Sequence, residues 1–484
     1  MKRYAVASAH PLSTLAGEEV LAEGGNMFDA ALATSAALTV VQPHMNGLGS
    51  DLFAVVEDRG VRALNASGYS AALADVSFFR GKGLDKIPLH GPLSSFMVPG
   101  IVSGWSLLAE EATMPLDHLF KRAVQYAREG FKPSASLRNS IARTAQFADD
   151  DWKRIYGSVG ERLVQPSLAK TLGLIAKDHG HSFYNGELAK TVESDMNRKG
   201  GLLRSSDLEG FSAEYVHSPE VRYRGYTVYT TPPNSQGVTS LYWLKLLDGM
   251  SVNGDAPDYY NKLISTMYPA YKWRAKYIGD PRFLPFSDDM LDITVRDEER
   301  TTAKKISSSD TTAFSVFDGE HGISAIQSNY MGFGSGHTVA GTGINLNNRG
   351  CYFTLDERHH NAVAPRKRTF HTLMVLLAEG EDRIYLGTMG GDIQPQVNVQ
   401  ILTGIIDSGM EAQKAVERPR FAWPASIYGD AELFAEEGLP ISGARVMKRH
   451  DSMFGHAHCI VAGATVSKGV DPRGDGLLPI DEVK

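Results

Sequence analysis

Apolar and polar residues alternate along several short stretches of the chain, and this period of two predicts β-strands. Leu52–Glu57 and Val61–Asn65 alternate on either side of a turn at Arg59-Gly60, so we expect them to pair as a hairpin. Ala313–Asp318 and Ile323–Ser328 form a second predicted hairpin. Because the strands come mostly in hairpins, we expect antiparallel sheets rather than a doubly wound parallel sheet.

Other parts of the chain have the apolar period of a helix. The stretch PLSTLAGEEVLAEGGN predicts a helix that stops at Gly24-Gly25. Asn26 is a suitable N-cap for a second helix, MFDAALATSAALTVV, whose alanines indicate a closely packed neighbour. Helical periodicity also dominates Gly104–Asn197. These patterns predict an α+β fold in which helices cover antiparallel sheets.

Composition and charge argue against several classes of partner. The chain has 484 residues, of which 42% are hydrophobic and 22% charged, as in ordinary globular proteins. A formal net charge of −7 gives no electrostatic reason to expect nucleic acid or an anionic membrane as partner. Cys351 and Cys459 make neither a disulfide framework nor a zinc motif. With no recognisable signal peptide or membrane span, we expect a cytoplasmic protein.

The segment ISSSDTTAFSV, Ile306–Val316, admits two interpretations. Serine- and threonine-rich stretches before a strand are usually linkers, and Asp297–Asp310 is the best linker candidate in the chain. The alternative is a nucleophile. A threonine hydroxyl needs an adjacent base, and an N-terminal threonine can use its own α-amino group. Thr311 is internal, so this role requires cleavage of the Asp310–Thr311 bond, and the local pattern alone favours the linker.

A glycine loop follows the predicted strand that ends near Leu386. The order strand, GTMGGD, helix places the N–H groups of Gly390 and Gly391 at a helix start, where they favour an anion or a developing oxyanion. A tight turn that needs positive φ is the structural alternative. Neither G-x-G-x-x-G nor G-K-[ST] is present, so a nucleotide phosphate is not indicated. His456 and His458 form a possible metal pair, but a packed pair is favoured because no third ligand is near in sequence.

Taken together, an ordered set of motifs resembles the γ-glutamyltransferases, a family of N-terminal-nucleophile hydrolases. The set spans nearly the whole chain and includes SAHPLSTLAGEEVLAEGGNMFDAALAT, QPHMNGLGSDLF, VPGIVSGW, RGYTVYTTPPNSQG, DTTAFSV, GFGSGHTVAGTGINLNN, GTMGGD and VDPRGDG. A single motif would be a weak signal, whereas the ordered set is specific. It reverses the preference for a linker at Thr311.

The resemblance implies a four-layer αββα sandwich made as an inactive precursor. The precursor would cut itself between Asp310 and Thr311 into a large subunit, residues 1–310, and a small subunit, residues 311–484, which stay intertwined as one folded unit. Thr311 would be the nucleophile and Ser328 the hydroxyl that supports it. Gly390 and Gly391 match the oxyanion-hole glycines. No metal or organic cofactor is implied, and a homodimer of the two-subunit unit is left open.

The chain departs from the family at the residues that hold a glutamyl group. The family uses an arginine for the α-carboxylate, and an asparagine, a glutamine-type residue and an aspartate for the α-amino group. The positions that match this clamp are Ser67, Tyr69, Tyr330, Arg349 and Tyr352. The family's serine pair falls near Arg368-Thr369. Arg349, or Arg368, could instead meet a carboxylate elsewhere on a different acyl group.

Three functions are compatible with these residues. The first is a self-processing γ-glutamyltransferase or glutathione hydrolase that cleaves γ-glutamyl or similar amides through an acyl-threonine, with water or an amine as acceptor. The second is an amidase for a non-glutamyl short carboxylated acyl group, as in oxamate or cephalosporin acylases. The third is an unprocessed, non-catalytic relative. The retained Thr311, Ser328, Gly390 and Gly391 argue against the third.

Overall fold

The computed structural model describes residues 4–250, 254, 258–292, 310–429 and 431–484. The strands are β1 Ala5–Ser8, β2 Asp51–Glu57, β3 Val61–Ala66, β4 Glu214–His217, β5 Glu220–Tyr223, β6 Tyr226–Thr230, β7 Asp310–Phe317, β8 Gly322–Tyr330, β9 Thr338–Val339, β10 Ile344–Asn345, β11 Val375–Glu379, β12 Arg383–Thr388, β13 Phe421–Ala422, β14 Phe434–Glu436, β15 Arg445–Met447, β16 Ala457–Ala462 and β17 Val466–Val470. The linker candidate Asp297–Asp310 lies outside the described residues except for Asp310.

Helices occur along most of the chain. They are α1 Pro11–Ala22, α2 Met27–Val41, α3 Val76–Gly81, α4 Ile101–Ala109, α5 Leu116–Leu119, α6 Lys121–Glu129, α7 Ala135–Thr144, α8 Asp150–Tyr156, α9 Pro166–Asp178, α10 His181–Asn185, α11 Glu187–Lys199, α12 Ser205–Glu209, α13 Val238–Asp248, α14 Tyr259–Tyr277, α15 Gln394–Ser408, α16 Ala412–Glu417 and α17 Ile480–Val483. In the described ranges, no helix combines the length and the apolar character that crossing a membrane requires.

Two six-stranded antiparallel sheets form the centre of the molecule. The first sheet has the strand order β1-β7-β8-β2-β3-β4, and the second has the order β17-β16-β12-β11-β6-β5. Phe53, Ala313 and Ile326 of the first sheet pack against Tyr385 and other residues of the second in a core between the sheets. Because side chains alternate along a strand, the remaining residues of each sheet face outward to helices. The αββα sandwich is therefore confirmed.

Helices α1 and α2 cover the outer face of the first sheet, and α13, α14 and α15 cover that of the second. The predicted cap of α2 is present: Oδ1 of Asn26 accepts the N–H groups of Phe28 and Asp29, and the carboxylate of Asp29 accepts the N–H of Asn26. The alanines of α2 leave room for α1. A Cβ added at Gly17 of α1 would lie 2.2 Å from Oγ1 of Thr34.

Both predicted hairpins are present, and β7 is longer than its pattern suggested. It begins at Asp310, so Asp310, Thr311 and Thr312 lie in a strand that pairs with β8, not in a linker. Strand β8 likewise runs on to Tyr330. The extension places the candidate nucleophile inside the first sheet, with its strand hydrogen-bonded between β1 and β8.

Candidate active site

Thr311 and Ser328 meet on the inner face of the first sheet. The register of β7 and β8 shifts between Asp310 and Thr312, so that Thr311 stands opposite two residues of β8, Ser328 and Asn329, as in a β-bulge on β8. Bulges re-aim side chains and are frequent beside active sites. The hydroxyl of Thr311 donates to Oγ of Ser328 at 3.2 Å, and both residues are fully buried. The structure thus brings the predicted nucleophile and its predicted supporting hydroxyl together.

The hydroxyl of Ser328 also reaches the peptide bond that processing would cut. It donates to the carbonyl oxygen of Asp310 at 2.8 Å and accepts the N–H of Tyr330 at 2.7 Å. A proton donor on this carbonyl makes its carbon more electrophilic, and the Thr311 hydroxyl belongs to the next residue. This arrangement suits attack of Thr311 Oγ1 on the Asp310 carbonyl carbon.

Gly390 and Gly391 follow β12 of the second sheet, a strand that packs against β7. A Cβ added at Gly387 of β12 would lie 2.8 Å from the Cβ of Ala313, so β12 passes over β7. Gly390 has φ +144° and Gly391 has φ +58°, which L side chains rarely adopt. Within the described chain, neither N–H donates to a protein acceptor. The two groups have the conformation and the freedom to bind an oxyanion.

A cavity of about 370 Å³ opens beside the Asp310–Thr311 bond. Its lining includes Asp310, Met389, Arg143 and His456. Burial raises the pKa of the Asp310 carboxyl to about 6, and Arg143 opposes this increase. The cavity therefore reaches Asp310, the residue before Thr311, and Met389, the residue before the two glycines.

Arg349 is a buried cation with unused hydrogen-bond donors. Its Nη1 donates to Oγ1 of Thr372 at 2.8 Å, and its guanidinium lies 4.3 Å from the ring centre of Tyr330. Nε and Nη2 are buried and have no partner among the described residues. Burial lowers the pKa of Arg349. Buried N–H groups without acceptors are costly, so this position favours an anionic ligand.

Tyr330 and Tyr352 connect Arg349 to Ser328 in β8 and to the turn that begins with Gly391. Tyr330 follows Ser328 in β8, and its ring meets that of Tyr352 edge-on, with centres 5.7 Å apart. The hydroxyl of Tyr352 donates to Oδ1 of Asp392 at 2.8 Å, in the turn that begins with Gly391. Burial raises the pKa of both phenols well above the ordinary value, so both are neutral. Three predicted binding residues thus form one cluster.

The structure does not bring Tyr69 into that cluster. Its hydroxyl donates to the carbonyl oxygen of Asp207 at 3.0 Å, and its ring packs edge-on against Phe211. Ser67 donates to Oδ1 of Asn65 at 2.7 Å. The guanidinium of Arg368 donates to Ser67 O and also pairs with Glu214 at 2.8 Å. Arg368 is therefore already in an ion pair, whereas Arg349 has no carboxylate within 4.0 Å among the described residues.

Sequence reasoning missed several polar residues around Arg349. Thr372 accepts its Nη1, and Nε2 of Gln236 donates to the carbonyl oxygens of Thr372 and Gly391, at 2.7 and 2.8 Å. Asp51 and His371 form a buried pair, with Nε2 and Oδ2 3.0 Å apart. His371 and Thr372 lie shortly before β11, three positions after Arg368-Thr369.

The remaining candidates are a histidine pair and two cysteines. The rings of His456 and His458 lie 5.6 Å apart, and burial lowers the pKa of His456 to about 4 and that of His458 to about 3. In the part of the chain that the structure describes, no group of three or more His, Cys, Asp or Glu side chains could hold a metal ion. Cys351 and Cys459 are free thiols, and burial raises the pKa of each to about 12.

The Thr311 and Ser328 hydroxyls lie beside the Asp310–Thr311 bond on the inner face of an αββα sandwich. This combination is characteristic of the N-terminal-nucleophile hydrolases. Comparison with known proteins specifies the family. The family model for gamma-glutamyltranspeptidase matches residues 13–478, so the chain belongs to this family. It is therefore an enzyme of the self-processing amidohydrolase and acyltransferase type.

Relatives of known name agree with this assignment. The chain is 36% identical to the glutathione hydrolase-like YwrD proenzyme of Bacillus subtilis (strain 168), over 97% of both chains. It is 31% identical to the oxamate amidohydrolase proenzyme of Klebsiella pneumoniae, over 96% of both. The crystal structure of cephalosporin acylase from Bacillus halodurans has a TM-score of 0.89 and 33% identity, covering 98% of this chain and 95% of that one.

Proposed function

We propose that the chain is the precursor of an amidohydrolase in which Thr311 is the nucleophile and Arg349 binds a carboxylate on the acyl group. The observation that carries the proposal is the buried guanidinium of Arg349 with two unpartnered N–H positions, linked through Tyr330 to the Thr311–Ser328 hydroxyl pair. Residues 1–310 and 311–484 become the large and small subunits. Activation comes first, and turnover follows.

Activation is an intramolecular acyl shift. Oγ1 of Thr311 attacks the Asp310 carbonyl carbon while Ser328 donates to the carbonyl oxygen. The C–N bond breaks, the nitrogen takes the proton that Thr311 gives up, and an ester joins Asp310 to Thr311. Water then hydrolyses the ester. The products are the α-carboxylate of Asp310 and an N-terminal Thr311 with a free amine and hydroxyl.

Turnover uses the groups that activation releases. The new α-amine of Thr311 takes the hydroxyl proton as the oxygen attacks a substrate amide. The N–H groups of Gly390 and Gly391 stabilise the oxyanion, and the leaving amine takes the proton from the threonine α-ammonium. Water or an amine then removes the acyl group from Thr311. These steps require no metal or organic cofactor.

The surroundings of Arg349 favour a short acyl group. The rings of Tyr330 and Tyr352 occupy positions that would hold an α-amino group in a γ-glutamyl enzyme, and neither carries a charge. Leaving a substrate ammonium without its partner typically costs a few kcal/mol, or about 10²-fold in affinity. A small acyl group with one carboxylate matches Arg349 alone. The relatives named for oxamate and for cephalosporin support this choice.

A γ-glutamyl group is the second candidate. It is supported by the 36% identity to a protein named as glutathione hydrolase-like. A glutathione substrate would need a counter-charge for its α-ammonium. Asp392 is a carboxylate beside Tyr352, but its Oδ1 accepts the Tyr352 hydroxyl and faces Arg274. We therefore place the short carboxylated acyl group first.

A substrate panel with an Arg349 variant tests the acyl group. Purified enzyme is assayed with oxamate, succinyl and glutaryl anilides, an uncharged butyryl anilide and glutathione. Arg349→Met should lower kcat/KM for the carboxylated anilides about 10²-fold and leave the butyryl anilide little changed. Arg358→Met, which removes an exposed arginine paired only with Asp356, is the matched control. Equal kcat/KM for wild type and Arg349→Met on every substrate contradicts the carboxylate site.

A denaturing gel with intact mass tests the nucleophile. Wild-type protein should give two unequal bands, with the smaller beginning at Thr311. Thr311→Ala should give one band, whereas Thr312→Val, which removes the neighbouring hydroxyl that donates to Gln42, should still cleave. One intact wild-type band after long incubation would instead identify an unprocessed relative.

A further inference from the structure

Asp51 lies in the same sheet as the nucleophile Thr311, and the proposed reaction steps do not use it. It is the first residue of β2 and stands directly opposite Ser328 in the ladder with β8. Opposite residues of an antiparallel pair point to one face, with Cβ atoms about 4.5–5.5 Å apart. Phe53, two positions along β2, faces the core between the sheets, so Asp51 faces that side as well. Asp51 and Thr311 therefore flank Ser328.

Two N–H groups hold the carboxylate of Asp51 in place. The N–H of Gly68 donates to Oδ1 at 2.9 Å, and Nε2 of His371 lies 3.0 Å from Oδ2. Nδ1 of His371 accepts the N–H of Leu373 at 3.2 Å, so the ring proton is on Nε2, which donates to Asp51. Burial, together with Arg349 and Arg368, lowers the pKa of His371 well below its ordinary value. The imidazole is thus a neutral donor that orients the carboxylate.

The charge of Asp51 is only partly compensated. Among the described residues, no Lys or Arg nitrogen lies within 4.0 Å of its carboxylate. Arg349 and Arg368 face it from longer range, and Tyr184 is its other titratable neighbour. Burial raises the pKa of Asp51 to about 7, against the N–H of Gly68 and the two arginines. A buried carboxylate of this kind is unfavourable for folding, which points to a use for its charge.

We propose that Asp51 is a positioning residue for the nucleophile in the processed enzyme. In the precursor, the Ser328 hydroxyl donates to the carbonyl oxygen of Asp310 at 2.8 Å. Cleavage separates that carbonyl from Thr311, and Ser328 then donates to Asp51 across the ladder. The Ser328 oxygen then accepts the hydrogen bond of the Thr311 hydroxyl, which fixes the orientation of that hydroxyl. The inference rests on the proposed function, because it needs a processed chain with Thr311 as nucleophile.

The proposal predicts that the reactivity of Thr311 falls as the pH is lowered, which gives the pH profile an acid limb. The ionised carboxylate of Asp51 only accepts hydrogen bonds, so Ser328 must be the donor. A protonated Asp51 could itself donate to Ser328, and the orientation of the Ser328 hydroxyl would be lost. Because its pKa is raised to about 7, the ionised fraction falls as the pH is lowered through neutrality, and the reactivity of Thr311 falls with it. His371 stays neutral through this range and does not contribute to the limb. The free α-amine of Thr311 must also be unprotonated to act as base, so it gives a limb of its own, which every processed variant keeps.

The experiment measures labelling of Thr311 in processed enzyme by phenylmethanesulfonyl fluoride, read by peptide mass, across the neutral pH range. Wild type should show a limb centred near pH 7. Asp51→Asn should label about ten-fold more slowly above the limb, the effect of one lost hydrogen bond, and should keep only the limb that titration of the Thr311 α-amine produces. Glu57→Gln, at the other end of β2, is the matched control and should behave as wild type. Asp51→Asn with the wild-type rate and limb overturns the proposal.

A second variant keeps the test decisive if Asp51→Asn fails to fold. His371→Leu removes one donor to Asp51, which raises its pKa further and should move the limb to higher pH. An unmoved limb in a folded, processed His371→Leu enzyme overturns the proposal. A wild-type chain that is never processed overturns the proposed function and this inference together. A processed chain whose labelling does not depend on Asp51 or His371 overturns only the inference.

Discussion

Ser328 uses the full hydrogen-bonding capacity of one hydroxyl. It accepts from the N–H of Tyr330 and from the hydroxyl of Thr311, and it donates to the carbonyl oxygen of Asp310. A hydroxyl has one donor and two acceptor positions, so none is left over. The nucleophile, the carbonyl it attacks and the backbone of the next residues in β8 are therefore fixed relative to one another by a single side chain.

Replacing this hydroxyl should slow self-cleavage. Ser328→Ala should lower the cleavage rate about 10²-fold, because the carbonyl of Asp310 loses the donor that would stabilise its developing negative charge. Ser324→Ala is a matched control on the same strand and face, since Ser324 pairs with Ser315 away from the site. A time course on denaturing gels measures both rates. Similar rates for wild type and Ser328→Ala would contradict the role of the hydroxyl.

The sequence predicted single residues at the site better than their partners. Thr311, Ser328 and the glycine pair follow from motif order. The structure joins Thr311 to Ser328 by a hydrogen bond and places the glycines after β12, the strand that packs over β7. The contacts of Arg349 with Tyr330 and Thr372 join positions about twenty residues apart, and only the folded sheets bring such positions into contact. Tyr69, predicted near the substrate, packs on Phe211 instead, because its loop turns toward α12.

At the scale of elements, the turn from β12 to α15 decides whether the oxyanion site exists. Gly390 and Gly391 both have positive φ, and a Cβ at Gly390 would lie 2.7 Å from Cγ1 of Ile393. A side chain there forces either a clash or a rotation of the turn. Rotation would turn the N–H groups away from the position where charge develops on the substrate.

Gly390→Ala should therefore damage both stability and catalysis. We expect a loss of about 1–3 kcal/mol in the free energy of unfolding, from the strained backbone, and a fall in turnover. Gly409→Ala, at the other end of α15, is the matched control: its φ is +61°, but no atom lies within 4 Å of the added Cβ. The control should lose about 1 kcal/mol and keep its turnover. Denaturant unfolding and the anilide assay measure both, and unchanged turnover in Gly390→Ala would argue against the oxyanion role.

Alternation along the chain predicted the strands of both hairpins, but not where β7 starts. Serine and threonine before a strand favour a linker by local propensity, yet β8 pairs with β7 as far as Asp310, beyond the residues that β1 reaches. The same pairing shifts register opposite Thr311. The predicted hairpin spans Ala313–Asp318 and Ile323–Ser328, so the sequence pattern did not include the pair Asp310–Tyr330.

At the scale of the whole molecule, both sheets combine strands from the two sides of the Asp310–Thr311 bond. In the first sheet, β7 and β8 lie between β1 and β2, which come from the other side. In the second, β11 pairs with β6. Each of these junctions is an antiparallel ladder, and the core between the sheets includes Phe53 and Ala313 from opposite sides of the bond.

Cutting one peptide bond should therefore leave the molecule assembled. Separating the two portions would break three ladders and expose the core between the sheets, whereas cleavage itself breaks no ladder. We expect the processed protein to elute from size exclusion as one species that contains both fragments, at the same volume as uncleaved Thr311→Ala. Denaturant should be needed to separate the fragments. Elution of the small fragment alone in native buffer would contradict this expectation and show that the ladders do not hold the portions together.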